Sequence, residues 1–246
     1  MGLMVALWVL SLVKRNAAIV DIFWGLGFVV VAWLTFYSAQ GYLLRRSLLV
    51  VMTTLWGVRL AAHIAVRSMG KGEDRRYKAW RESHGKSFWW VSLFKIFLLQ
   101  GLLLWVISLP IQAGQLSRLP DRFTSLDLLG FTVWLTGFLF EALADWQLAG
   151  FQSDPGNKGK VLDSGLWSLT RHPNYFGECM LWWGIFAVAL SNPWNAWTVL
   201  SPLVLTLLLL KVSGVALMEK SIVETRPGYG VYMKTTSAFL PRFRKS

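Results

Sequence analysis

Cysteine is nearly missing from this chain: Cys179 is the only one in 246 residues. That excludes an intrachain disulfide and any zinc site built on cysteine. Histidine is scarce too. His63, His84 and His172 are too few and too dispersed for an HExxH helix or a similar cluster, so no metal site is expected and redox chemistry calls for a bound organic cofactor. The opening residues lack the basic region and small-residue cleavage site of a cleaved leader, and the run Leu3 to Val13 reads as retained structure. Internal repeats, low-complexity tracts and long linkers are absent as well, which leaves a single domain over residues 1–246 as the expected organisation.

What the chain has instead is apolar length. Hydrophobic residues make up 54% of it, charged residues 15%, and there are 15 tryptophans. Runs at 17–37, 47–66, 88–110, 126–149, 173–190 and 192–218 approach the roughly 20 residues that an α-helix needs to cross hydrocarbon. The fold class is therefore all-α, a polytopic transmembrane helical bundle.

Acidic residues number 13 against 25 basic ones, a net charge of +12. In a soluble chain that excess would point to nucleic acid. Here the cations collect in short segments between apolar runs, which points to membrane topology and anionic headgroups, and no nucleic-acid partner is expected. If residues 1–13 also cross, the segments 14–16, 67–87 and 150–172 and the tail from Lys220 share one side and carry 18 of the 25 Lys and Arg. Arg45, Arg46, Arg118 and Arg122 lie on the other. The positive-inside rule then gives seven crossings, with the N-terminus outside and the C-terminus cytoplasmic. A six-crossing form with both termini inside keeps nearly the same bias. On this reading 67–87 and 150–172 are cytoplasmic cofactor-facing loops and 220–246 is a basic cytoplasmic tail.

Ionisable residues within membrane helices usually face the bundle interior. Asp21 stands one turn before Gly25, a notch for close packing, and reads either as a satisfied interhelical contact or as a site carboxylate. Arg59, His63 and Arg67 recur every four residues on one helix face, for phosphate or substrate contact or for anchoring. Glu141 and Asp145, one turn apart, repel unless a cation, a hydroxyl or a shared proton relieves them. In the loop from Met69 to Trp90, Arg75, Arg76, Lys78 and Arg81 interleave with Tyr77 and Trp80, a mixture suited to phosphate and a heterocycle, or simply to an inside loop. His84 reads as an exposed loop histidine and Cys179 as packing.

The segment Ser168 to Trp183 (SLTRHPNYFGECMLWW) concentrates the polar chemistry. Turn formers precede it, and Pro173 marks the first turn of a helix, because proline lacks a donor that would go unpaired there. The helix end would present backbone donors beside Arg171 and His172, an arrangement suited to an anionic or electron-rich cofactor group. Asn174 and Glu178 share a face, Gly177 leaves room for an approaching ring or helix, and Tyr175 can orient a ligand or donate a proton. Glu219 is expected to pair with Arg171 or another cation, or to serve as an ordinary helix-end carboxylate.

The motifs GLWSLTRHPNYFGE, EALADWQ, DIFWGLGF, GEDRRYKAWR and RPGYGVYMKTTSAFLP together resemble the bacterial DUF1295 family, a branch of the steroid 5-alpha-reductase-like membrane proteins. The likeness covers residues 16 to 242. A local RHPNY resemblance extends to sterol reductases, which use NADPH, and to isoprenylcysteine carboxyl methyltransferases, which use S-adenosylmethionine. The resemblance implies a multi-pass protein of the bacterial inner membrane that is an NADPH-dependent reductase. It would act on a carbon-carbon double bond of a hydrophobic enone or steroid-like lipid drawn from the bilayer, with membrane lipids around it and no obligate protein partner.

By the same resemblance, Asn174, Tyr175 and Glu178 match the cofactor-facing segment, Asp145 the acidic cofactor residue, and Arg171 with His172 the RHP element. Arg75, Arg76, Tyr77 and Arg81 align with the basic cofactor loop. Cofactor contacts are thus expected from Arg75, Arg76, Tyr77, Arg81, Asp145, Arg171, His172, Asn174 and Glu219. The glutamate and tyrosine that polarise the steroid ketone in the eukaryotic enzymes have no motif counterpart, so Asp21, His63 and Tyr175 stand as substitutes. With Glu178 these form the expected catalytic set. An S-adenosylmethionine-dependent membrane methyltransferase and a nonenzymatic lipid-binding protein are the alternatives.

Overall fold

The computed structural model describes residues 1–212, 219, 222–223, 226 and 228–243. Every regular element among them is helical. The end of the sixth apolar run, 213–218, and several residues of the expected tail lie outside the described residues. The helices gather into two compact units, Met1–Phe123 and Thr124–Ser246.

The first unit contains α1 (Gly2–Lys14), α2 (Ile19–Ser38), α3 (Leu43–Ser68) and α4 (Arg75–His84), followed by α5 (Phe88–Ser92), α6 (Leu99–Ile107) and α7 (Leu109–Leu116). The segment read as a loop over 67–87 is thus helical for much of its length. Asp74 caps α4 by accepting the Arg76 backbone N–H, satisfying one of the donors a helix start leaves over. A π-helical turn, Leu93–Leu98, joins α5 to α6. α2 and α3 meet at the expected notch, where a Cβ on Gly25 would stand 2.5 Å from the Gly57 carbonyl oxygen. Only glycine on both helices allows that approach.

The second unit is built on α8 (Ser125–Ser153) and α9 (Pro173–Ala189), joined by α10 (Leu200–Leu207) and α11 (Tyr229–Thr235). A capping box starts α8: the Thr124 hydroxyl accepts the Asp127 N–H, and the Asp127 carboxylate accepts the Thr124 N–H. Gly130 lies against Gly184 and Gly137 against Gly177, so α8 and α9 run antiparallel with backbones in contact at two levels. The room that Gly177 leaves is therefore filled by α8.

Among the described residues five helices are long and apolar enough to cross a membrane: Ile19–Ser38, Leu43–Ser68, Arg75–Ile107, Ser125–Ser153 and Pro193–Lys211. They are the mark of an integral membrane protein. The 29 residues of α8 extend about 43 Å, longer than the roughly 30 Å of a hydrocarbon core. Asp145 and Gln147 lie in its C-terminal third.

Candidate functional site

In the second unit, α8 and α9 bring together residues far apart in sequence. Asn174, in the first turn of α9, donates from Nδ2 to Asp145 Oδ1 at 3.1 Å, and its own Oδ1 accepts the Tyr175 N–H. Asp145 and Glu141 are both buried, and the Asn174 amide is one group that relieves the Asp145 carboxylate. The 165–172 segment is tied to α8 in turn. Gln147 accepts the Leu166 N–H at 3.0 Å, and the Trp167 indole donates to the Ala144 carbonyl at 3.1 Å.

Arg171 and Glu219 form a paired clasp, which realises the pairing expected for Glu219. Arg171 Nε donates to Oε1 at 2.7 Å and Nη2 to Oε2 at 3.1 Å, the two-pronged geometry that suits a guanidinium to a carboxylate. Nη1 donates to the Met233 and Thr236 carbonyls. The pair is largely dry, with side-chain exposures of 9% for Arg171 and 13% for Glu219. His172 Nε2 approaches the same Oε1 at 3.0 Å. Burial pushes the Glu219 carboxyl upward, but hydrogen bonds from His172 and Arg171 and their charge outweigh it and hold the group below its ordinary range. Nearby Tyr229 is pushed up to about 12, by burial first and then by the Glu219 charge, so its phenol stays neutral.

The C-terminal segment is laced over this turn. The Arg171 backbone N–H donates to the Ser237 carbonyl, and Arg242 N–H to that of Leu169, each at 2.9 Å. The Tyr232 phenol donates to the Trp167 carbonyl and lies 3.4 Å from that of Thr170. Phe239 meets Phe176 edge to face. Tyr175 stacks on His172 with ring centroids 5.6 Å apart and planes 5° from parallel. Glu178 is half-buried one turn beyond Asn174, and Cys179 is buried with Sγ 3.0 Å from the Thr206 hydroxyl, as expected of packing.

The first unit holds its own polar cluster. Tyr77 donates to Asp21 at 2.7 Å and accepts from Gln100 Nε2 at 3.2 Å. Arg76 reaches Asp21 at 3.3 Å and Asp74 at 3.0 Å. Arg81 grips Glu73 through Nε and Nη2, and Glu73 also accepts the Ala17 N–H at 2.7 Å. Burial raises the Glu73 carboxyl, but these bonds lower it further than burial lifts it. Arg76 and Arg81 are therefore directed at carboxylates of their own unit. Arg75 is exposed, and His63 is half-buried on α3. His84 ends α4, its Nδ1 2.9 Å from the Trp80 carbonyl, and so is helical rather than in a loop.

Several of these partners have no signal in the sequence. Gln100 belongs to no motif, and although Tyr232, Met233 and Thr236 lie within the RPGYGVYMKTTSAFLP stretch, nothing in it marks them as partners of Trp167 and Arg171. Among the described residues no group of His, Cys, Asp and Glu is arranged to hold a metal.

Among known proteins, a stretch of 46 residues is 41% identical to a protein of Ustilaginoidea virens named as the probable O-methyltransferase ustE. That match spans 19% of this chain and 16% of the relative's length. No solved structure matches. The family model described as "Protein of unknown function (DUF1295)" matches residues 7–236, nearly the whole chain, and this protein belongs to that family.

Proposed function

We propose that this protein is a membrane oxidoreductase that reduces a carbon-carbon double bond of a hydrophobic enone or steroid-like lipid with NADPH. The observation that carries the reading is the Asn174–Asp145 pair at the mouth of α9, beside the Arg171–Glu219–His172 cluster. A carboxamide and a carboxylate 3.1 Å apart in a half-dry setting suit the amide and ribose hydroxyls of a nicotinamide nucleotide, and the His172–Tyr175 stack offers an aromatic face. The phosphate end is served differently from the sequence expectation. The Arg171 donors point at Glu219 and two carbonyls, whereas Lys158 and Arg226 line a cleft of about 260 Å³. These two are the cations of this unit we assign to phosphate.

When bound, the cofactor supplies hydride to the β-carbon of the enone. The residues of this chain orient it through Asn174 and Asp145, exclude water with the apolar packing of α8 against α9, and hold the proton that the α-carbon receives. Seven crossings, with N-terminus outside and C-terminus cytoplasmic, belong to the same proposal. It rests on the charge bias of the connecting segments and adds α1 and the 17-residue α9 to the five longer helices.

The 46-residue likeness to a probable O-methyltransferase bears on a second reading, an S-adenosylmethionine-dependent methyltransferase. The commitment of Arg171 to Glu219 also suits a cofactor without phosphates. Equilibrium titration of the detergent-purified protein with each cofactor separates the two. NADPH binding that weakens at least tenfold in Asn174→Ala supports the reductase. Binding of S-adenosylmethionine alone overturns it.

A further inference from the structure

Glu219 is held from two sides. Arg171 occupies both carboxylate oxygens and is itself anchored on the Met233 and Thr236 carbonyls, so the carboxylate cannot swing away from His172. An ionised carboxylate only accepts hydrogen bonds. At 3.0 Å from Oε1, Nε2 of His172 must therefore carry the proton of the neutral ring. Its other nitrogen, Nδ1, is then the lone-pair nitrogen, and it has no hydrogen-bond partner among the described residues. The ring plane is fixed by the parallel stack with Tyr175, and the His172 backbone by the Thr170 hydroxyl. The side chain is almost wholly buried, at 4% exposure.

A histidine that merely braced Glu219 would need a single donor. Here the ring is oriented by Glu219 and by the Tyr175 stack, and among the described residues one nitrogen is left over. A carboxylate that fixes the tautomer while the opposite nitrogen exchanges a proton is a general arrangement for acid–base work. We propose that His172 transfers the proton of the reaction through Nδ1, and that Glu219 and Arg171 act as positioning residues behind it.

This rests on the reductase reading for the identity of the acceptor. Hydride from the reduced nicotinamide adds at the β-carbon and leaves an enolate. Water first protonates Nδ1, so that the ring carries both protons; Nδ1–H then gives its proton to the α-carbon, and the neutral imidazole with its proton on Nε2 remains. The substrate gains one hydride and one proton, the double bond becomes a CH–CH single bond, and the nicotinamide is left oxidised. Among the described residues the charged and titratable groups around the ring are Arg171, Glu219 and Tyr175, with Tyr229 on α11 near Glu219.

Two measurements on the full chain in detergent test the proposal. In ¹⁵N-histidine NMR, with His172 assigned by its disappearance in His172→Gln, the neutral ring should carry its proton on Nε2. Glu219→Gln should weaken that preference. A ring protonated at Nδ1 overturns the assignment. In the second arm, His172→Gln keeps a donor for Glu219 while deleting Nδ1. At saturating NADPH, single-turnover enone reduction should fall about 10²–10⁴-fold, the usual worth of general acid catalysis. Turnover equal to wild type sinks the proposal. If the wild-type protein binds no NADPH, the reductase reading fails by itself and the NMR tautomer decides the assignment for His172.

Discussion

A Cβ placed on Gly177 would stand 2.5 Å from the backbone nitrogen of Glu141. No side chain larger than hydrogen fits there without parting α8 from α9. Gly177→Ala should therefore lower stability by about 1–3 kcal/mol, the usual cost of overpacking a tight contact. Thermal unfolding in detergent would reveal it, and the same loss is expected for Gly137→Ala, whose Cβ would meet the Gly177 carbonyl oxygen at 2.6 Å. An alanine that leaves the transition unmoved would mean the backbones are farther apart than described here.

The Arg171–Glu219 clasp should make stability depend on pH in one direction. The folded carboxyl lies below its ordinary value of 4.5. Its contribution is fully present above that unfolded value and fades as pH falls through the folded one. The gap in melting temperature between wild type and Glu219→Gln should hold steady from about pH 8 to 6 and narrow below about pH 4.5. Glu219→Ala leaves a buried guanidinium without its carboxylate and should cost about 3–5 kcal/mol. A melting-temperature gap that widens on acidification would contradict this assignment.

Tyr232→Phe removes the donor that holds the Trp167 carbonyl. A loss of about 1 kcal/mol is expected, typical of one hydrogen bond. Hydrogen exchange gives the sharper readout. The Arg171 and Arg242 amides, which bond across to Ser237 and Leu169, should exchange faster in the variant than in wild type. Unchanged protection at both would show that the C-terminal segment is held by other contacts.

The proposed topology can be read with single cysteines in a Cys179→Ser background. Ser83→Cys and Ser164→Cys, both at exposed positions, should react with an impermeant thiol reagent from the cytoplasmic side, and Arg118→Cys from the other. Opposite accessibility for Ser83 and Ser164 would break the seven-crossing arrangement.

Much of this architecture was legible because hydropathy and helix length are local properties. Pro173 announces the start of α9, and the notch read at Gly25 does take a close helix contact, at Gly57. Pairing is another matter. The stretch from Glu73 to Arg81 reads either as a grip for phosphate or as a plain inside loop, yet Arg76 and Arg81 turn to Asp21, Asp74 and Glu73. Nothing local decides whether an arginine faces a ligand or its own chain's carboxylate. Desolvation decides, since a half-buried carboxylate needs a partner at once. Family likeness assigned Asn174 and Asp145 each to the cofactor but not to one another, and Gly137 and Gly177 supply the physical cause of their bond by drawing the two helices together.

The interlacing of residues 229–242 with 165–172 also bears on when the protein becomes competent during its synthesis. α8 and α9 can pack as soon as both have left the ribosome. The carbonyls that anchor Arg171, and the amide and phenol that pin Leu169 and Trp167, are translated more than sixty residues after the groups they hold. The turn bearing Arg171 and His172 therefore acquires its final form only after translation has passed Arg242, with the helices already in the bilayer. A nascent chain stalled short of that point should insert normally and still lack a finished site.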